Sequence, residues 1–429
     1  MKTLALCLLL CVTAAANDWL TWRGPHGNGT AEGDPPVEFS REENLRWRTT
    51  IPGRGFSTPI VWNGRIFLTT AVALEQEHAP PPGTPLGSRG SGGAGLARHV
   101  FVVMALDFKS GNEIWRRTVT TAEPHQGYHR TYGSHASNSP VTDGETLFVS
   151  FGSRGIYALD FDGEVQWKTN LDAPMMMRYS FGEGSAPVVH GDTLLLNCDQ
   201  EEQSYLLALD KNTGRERWRS NHDGLSTWAP PLVTEVDGLT QVITPGETTR
   251  AHDLETGDII WSVEGLGTNA IPTPLRQDDF ILLMTGHRNP NLMAVRLGGE
   301  GDLTGTEAVM WTNRRGNAYT PSPVLHEGVY YVLSDRGFFT AFDAHTGETF
   351  YQQQRIPDLT QFKASPVAAS SRLYVAGENG IVTVLKLGKE FEVLARNSMG
   401  ADEMFIASPV VVGDTLLLRG QSDLYAVGR

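Results

Sequence analysis

Short apolar runs, separated by tight-turn residues, recur along the chain at regular intervals. One unit shows the pattern in full. Ser139-Pro140-Val141 opens a first strand, Asp143-Gly144 turns, and Thr146-Leu147-Phe148-Val149 returns. Gly155 starts a third strand, Ile156-Tyr157-Ala158-Leu159-Asp160; Asp162-Gly163 turns again, and Val165-Gln166-Trp167 makes a fourth. Four short strands joined by tight turns predict one blade of a β-propeller. The opening proline suits the first residue of a strand, where no N–H is needed.

That proline appears eight times: Pro59, Pro140, Pro187, Pro231, Pro274, Pro323, Pro366 and Pro409. From Pro140 onward the gaps are 47, 44, 43, 49, 43 and 43 residues. A repeat of this length cannot bury a hydrophobic face alone and must stack on its neighbours. The first gap, 81 residues, holds an insertion at about 72–98 containing Pro80-Pro81-Pro82-Gly83 and Ser88-Arg89-Gly90-Ser91-Gly92-Gly93. Such a composition buries no apolar surface, so a flexible loop inside the first blade is expected.

The turn before the fourth strand is chemically specific. Asp210, Asp253 and Asp343 each lead to a glycine four residues on (Gly214, Gly257, Gly347) and then to an aromatic after four more (Trp218, Trp261, Tyr351). The aspartate accepts bonds from the backbone ahead of it, and the glycine takes the positive φ. The aromatics Trp47, Trp115, Trp167, Trp218, Trp261, Trp311 and Tyr351 are expected to dock blade on blade. Burial of each contributes roughly 2–3 kcal/mol. Ala105, Ala158, Ala208, Ala251 and Ala341, two residues before each aspartate, are expected to leave room for a neighbouring blade's ring. The last repeat stops at Ala426-Val427-Gly428 without a fourth strand, while Asn44-Leu45-Arg46-Trp47-Arg48 is a fourth strand without a blade. The expectation is an all-β, eight-bladed propeller of four-stranded antiparallel blades over 44–429, closed by the strand around Trp47, with an N-terminal arm at 17–43. Closure hides both edge strands.

Charge narrows the partners. The formal net charge is −14, which repels phosphate backbones, so nucleic-acid binding is not expected. Lys2, the apolar run 4–12 and Ala14-Ala15-Ala16 resemble a secretory signal cleaved near Ala16. The run is too short to span a bilayer, which needs roughly 20 residues. Leucine precedes both Cys7 and Cys11, so no lipid anchor is expected. Past that segment only Cys198 remains, at the end of an apolar strand, where it reads as a small buried hydrophobe. These features place the protein in the periplasm or outside the cell, monomeric or weakly associated.

The pattern Ala-x-Asp-x-x-Thr-Gly-x-x-x-Trp, complete at 208–218 and 251–261 and partial at 105–115, 158–167 and 341–351, resembles the docking signature of pyrroloquinoline-quinone-type (PQQ-like) propeller repeats. The resemblance covers 44–429 and implies three relations. One is to periplasmic quinoprotein alcohol dehydrogenases. Another is to the propeller subunit of the outer-membrane β-barrel assembly machine. The strongest is to exported bacterial propellers without an assigned activity, which share a start like Trp19-Leu20-Thr21-Trp22-Arg23-Gly24-Pro25. The dehydrogenase relation implies adjacent cysteines against the quinone and a Ca²⁺ held by carboxylate and amide oxygens. One cysteine does not supply the first. Glu183 and Asn269 are the weak candidates for the second. No Cys-x-x-Cys-His haem motif occurs. His125, His129 and His135 cluster before the second blade without a strong zinc spacing. No catalytic residue, metal or cofactor is therefore expected, PQQ and Ca²⁺ being the alternative.

Residues just before each first strand should converge at one mouth of the channel: Arg54, Phe56, His135, Arg178, Tyr179, Trp228, Asn269, Asn317, Tyr319 and Lys363. This mixed aromatic, amide and basic rim suits an anionic or sugar-like small molecule or a peptide segment. The expected function is a non-catalytic binding or scaffolding propeller for a small molecule or an envelope protein. The alternatives are a divergent quinoprotein oxidoreductase and an outer-membrane assembly subunit.

Overall fold

The computed structural model describes residues 18–74, 95–357 and 360–429. The signal segment 1–16 and most of the flexible insertion expected at 72–98 lie outside the described residues. Eight sheets follow one another around a central channel, each built on four antiparallel strands. We number the blades from the one that begins at Ile60–Trp62; blade 8 begins at Val410–Val412. In blade 1 the second strand, Arg65–Ala73, pairs with the third, His99–Asp107, as far as Ala73 opposite His99. The insertion therefore leaves from the end of an extended hairpin. Leu45–Thr50 pairs antiparallel with Asp423–Val427 and completes blade 8. One blade thus contains both ends of the ring.

The expected aromatic docking takes a specific form. The Trp47, Trp115, Trp167, Trp218 and Trp311 indoles each donate Nε1–H to a backbone carbonyl of the next blade: Phe108, Phe161, Lys211, Leu254 and Ala344, at 2.8–3.2 Å. Each acceptor is the residue just after the turn aspartate. The ring itself lies on the glycine of that turn. A Cβ on Gly214 (φ +69°) would meet Trp167 Cε3 at 2.5 Å, and one on Gly111 would meet Trp47 Cε3 at 2.4 Å. Glycine is required here twice, for the positive φ and for the indole pressed against it. The aspartate fixes the carbonyl: Asp210 Oδ1 accepts from the Asn212 and Thr213 N–H groups, and Gly214 N–H returns to the Asp210 carbonyl at 2.8 Å.

This geometry corrects the role assigned to the alanines. Ala105, Ala158, Ala208, Ala251 and Ala341 stand opposite their own blade's aromatic across the strand pair, each at a register shift. Glycine, not alanine, receives the neighbour's ring. Where the turn motif is missing, the lock changes. Blade 5 has no such turn, and Trp261 bonds instead to Gln241 Oε1 at 3.0 Å within its own blade. The longer loop of blade 5 sends Gly301–Asp302 back to pair parallel with Ile259–Glu264, as a fifth strand over blade 4. Tyr351 faces blade 7, which also lacks the turn, and packs edge-on against Phe391.

A second ring of contacts surrounds the channel. The residue before each proline donates its N–H to the hydroxyl of its counterpart in the following blade: Thr273 to Ser322, Ser322 to Ser365, Ser365 to Ser408, Ser408 to Thr58, and Thr58 to Ser139, at 2.9–3.1 Å. Ala186 and Pro230 occupy the two positions that lack a hydroxyl. The arm lies across the channel. Trp19 exchanges backbone bonds with Val61 of blade 1, the Leu20 carbonyl accepts from Thr142 of blade 2, and Gly29 and Ala31 bracket Ala368 of blade 7. Between these anchors Arg23 reaches the Pro323 and Pro366 carbonyls of blades 6 and 7. The arm thus forms a floor under the channel.

Candidate functional site

The channel is open at the end where the inner strands begin. The connection from blade 1 to blade 2 arches over that mouth and carries His129 and Tyr132. Arg54 holds it by donating to the Gly133, Arg130 and Thr131 carbonyls at 2.9, 3.1 and 2.7 Å. His129 stacks flat on Tyr132, ring centroids 3.4 Å apart, and meets Phe181 edge-on at 5.2 Å. Phe181 continues to Trp228 at 6.4 Å and to Tyr179 at 5.6 Å. Trp228 is fixed by its Nε1–H to the Gly182 carbonyl at 2.8 Å. On the far side Tyr319 lies against His287 at 4.9 Å, and its hydroxyl accepts from Asn269 Nδ2 at 3.2 Å. These aromatic walls enclose about 150 Å³. The space continues into the axial channel, a further 140 Å³ or so, bounded by Trp22 from the arm.

Lys363 lines the axial channel below the cup, and its charge is balanced. Lys363 Nζ lies 4.9 Å from the Tyr132 ring and donates to Asp335 Oδ1 at 2.8 Å. Asp335 Oδ2 accepts the Tyr319 and Thr320 backbone N–H groups. Burial first, then the Lys363 and Arg54 charges, holds the His129 imidazole down at about 4, so it is neutral at pH 7. Burial first, with Tyr319, Asp335 and Glu378 adding, pushes the Tyr132 phenol up to about 12. Burial also raises the Glu378 carboxyl beside Lys363. The cup is thus an aromatic vessel whose His129 and Tyr132 are held in their neutral forms at pH 7, and whose Glu183 and neighbouring Lys363 are each matched by an opposite charge.

The ten rim residues divide. Trp228, Tyr319 and Lys363 line the cup or its channel, and Phe56 sits at the channel wall. Tyr179 stands at the lip, 51% exposed at φ +51°. Arg178 and Asn269 bond to each other at 3.3 Å behind the wall. Arg54 is spent on carbonyls. His135 is packed between Tyr128 and His99 beneath the arching loop. Asn317 donates to the Asn313 carbonyl at 3.4 Å and does not line the cup. Sequence reasoning did not place Tyr132, Phe181 or Ile271 at the mouth, and named His129 only within a histidine cluster and Trp22 only within the N-terminal motif. The one signal for His129, Tyr132, Phe181 and Ile271 is an aromatic or apolar side chain in a polar inter-blade loop.

The weak cation candidates do not fit a Ca²⁺ site. Glu183 Oε1 takes Arg154 Nη1 at 2.8 Å and Oε2 takes the Ser153 N–H, both carboxylate oxygens being used. Asn269 Oδ1 faces Arg178. An arginine meets Glu183 Oε1 and Asn269 Oδ1, and a backbone N–H meets Glu183 Oε2. The histidine cluster disperses, His125 to the Met175 carbonyl and His135 to the Gly95 carbonyl. Among the described residues no three His, Cys, Asp or Glu side chains come together as a metal site. Burial pushes the Cys198 thiol up to about 12.

Comparison with known proteins places this geometry among propellers of two kinds. The family model described as outer membrane protein assembly factor BamB matches residues 100–219, 175–300 and 246–428. The chain is 25% identical over 295 residues to outer membrane protein assembly factor BamB of Yersinia pestis, covering 66% of each protein. It is 26% identical over 337 residues to that of Escherichia coli K12, covering 66% of this chain and 79% of the relative. Among solved structures, BamB from Moraxella catarrhalis superposes with a TM-score of 0.54 at 13% identity, over 84% of this chain and 99% of that one. Quinohemoprotein alcohol dehydrogenase from Comamonas testosteroni gives 0.63 at 13% identity, over 97% and 82%. At such identity the structural likeness establishes the fold.

Proposed function

Because the chain belongs to the PQQ-like propeller family described as outer membrane protein assembly factor BamB, we propose that it is an exported, non-catalytic binding propeller. In this reading it seats a segment of an envelope protein at the channel mouth. One observation carries the reading. Tyr179, 51% exposed, packs against Phe181 of the cup at 5.6 Å and forms its lip, and Met176 and Leu225, 37% and 39% exposed, stand on the two loops bonded to each other there. Hydrogen bonds tie together the loops that carry these three residues. Arg178 N–H bonds Ser226 Oγ, Ser226 bonds Glu201, and Glu201 N–H bonds the Met176 carbonyl. Exposed apolar residues beside a pocket mark a docking site. The exposed Ile114, Val165 and Ile259 are instead single residues on the outer strands. An extended segment would lie on the lip and insert an apolar or aromatic side chain between Trp228, Phe181 and Tyr132.

The closed floor supports binding over passage, and the paired state of Glu183 and Asn269 favours binding over quinone chemistry. Replacing Trp228 with alanine and Tyr179 with serine together should abolish retention of the envelope partner while leaving the melting temperature within a few degrees. Retention unchanged in that variant, or dye reduction with alcohols on adding PQQ and Ca²⁺, would overturn the reading.

A further inference from the structure

The far wall of the cup is flanked by arginines that the rest of the molecule leaves unpaired. On blades 5 and 6 the open end carries the loops 286–290, 314–320 and 334–337, and the outer strand Thr349–Arg355 ends there too. These segments hold Arg288, Arg314, Arg315, Arg336 and Arg355, all five exposed. Among the described residues none of the five makes an ion pair or donates a side-chain hydrogen bond; Arg355 only lies over the Phe338 ring, at 4.9 Å. The single acid on these loops, Asp335, is already taken by Lys363 and by the Tyr319 and Thr320 N–H groups. Contacts join the loops to one another. A Cβ on Gly286 would strike the Ala318 carbonyl at 2.2 Å, Asp335 grips the 319–320 backbone, and Phe338 stands opposite Arg355 across its strand pair. The cluster begins at the cup itself: His287, next to Arg288, lies on Tyr319 at 4.9 Å. Burial first, then the Arg288 and Arg178 charges, lowers the His287 imidazole below its ordinary 6.5, so the field at this edge is positive.

We propose that these arginines receive a short acidic run of the docked envelope protein, an extended segment whose carboxylates flank the residue seated in the cup and lie over blades 5 and 6. The position of the seated residue rests on the docking reading above; the charge requirement is separate from it. Arginine at all five positions suits carboxylates, because the planar guanidinium offers two parallel N–H groups to one carboxyl. The chain as a whole has a formal net charge of −14. A lipid headgroup layer or a nucleic acid would press its charge against that acidic remainder. A short segment feels only what lies within about 8 Å of it, and here that is the arginines.

Fluorescence anisotropy with the full chain tests both parts. The probes are labelled peptides of about ten residues: one with a tryptophan and four glutamates, one with glutamine for each glutamate, and one with glycine for the tryptophan. The glutamate peptide should bind at least about tenfold more tightly than the glutamine peptide, and added salt should shrink the difference. Arg288→Gln, Arg314→Gln and Arg336→Gln together should remove the difference at an unchanged melting temperature, since all three side chains are exposed. Arg296→Gln, at the opposite end of blade 5, should leave it intact. Equal binding of the glutamate and glutamine peptides, no binding of either, or a preference that survives the triple variant would refute the proposal, whatever the cup does. Equal affinity of the tryptophan and glycine peptides, with the charge preference intact, would uphold the arginines while overturning the cup. Vesicles containing phosphatidylglycerol should not be retained. Retention that the triple variant abolishes would assign the cluster to lipid headgroups and overturn the acidic segment.

Discussion

At the scale of single residues, the glycines of the docking turns carry more than their conformational freedom. Gly191 (φ +54°) has nothing within 4 Å of a would-be Cβ, whereas Gly214 (φ +69°) has the Trp167 indole at 2.5 Å. Both pay the left-handed penalty on substitution, roughly 1 kcal/mol, but only Gly214 also forces a ring away, at about 1–3 kcal/mol more. Gly214→Ala should therefore lower stability by roughly 2–4 kcal/mol and Gly191→Ala by about 1, as read from denaturant unfolding. Equal effects would mean that the indole does not rest on the turn. His129 gives a second residue-level expectation. Its folded pKa of about 4 lies below the ordinary 6.5. The unfolded chain therefore takes up the proton first, and this group's contribution to stability is complete above pH 6.5 and falls as pH drops toward 4. Ring resonances of His129 should stay neutral at pH 5.5, and Lys363→Met should raise the midpoint. A midpoint near 6.5 in the native protein would contradict the packed, cation-flanked position.

At the scale of elements, the seam decides whether eight sheets behave as one body. Leu45–Thr50 brings to blade 8 the same lock that joins other blades: Trp47 donates to Phe108 and lies on Gly111. Arg48 and Thr50 also satisfy the buried Asp423 carboxylate at 2.6 and 2.7 Å. Trp47→Ala should cost about 3–5 kcal/mol. A chain lacking residues 17–48 should lose its single cooperative melting transition. An unchanged melt in either case would show the seam to be dispensable. This seam was legible in the sequence because strand period, turn chemistry and the orphan Trp47 strand are all local signals. The serines and threonines of the ring stand before six of the eight prolines, yet their partners lie one repeat or more apart, and only blade packing and ring closure bring them together. The parallel strand Gly301–Asp302 was not legible, since two exposed residues in a loop carry no strand pattern.

At the scale of the whole molecule, the fold converts eight similar blades into two unlike ends. One end is crossed by the arm, which buries Trp19 and Arg23. The other is an aromatic cup with an exposed lip at blades 3 and 4. Rim positions were predictable from the repeat, since each inter-blade loop must reach the mouth. Which of them face inward was not: Arg54, Arg178 and Asn269 turn to wall contacts that depend on loops unrelated in sequence. Tyr132 and His129 arrive from one long loop, and Trp22 from the arm. On the function proposed here, partners engage the lip and cup, and not the outer wall or the blade edges. Site-specific photocrosslinking in intact cells tests it most directly, with a photoreactive residue at Tyr179 on the lip and, separately, at Ile259 on the outer face of blade 4. The account predicts a discrete envelope-protein adduct from position 179 that disappears when Trp228 is changed to alanine, and none from position 259. Adducts of equal yield from both positions, or from 259 alone, would contradict it.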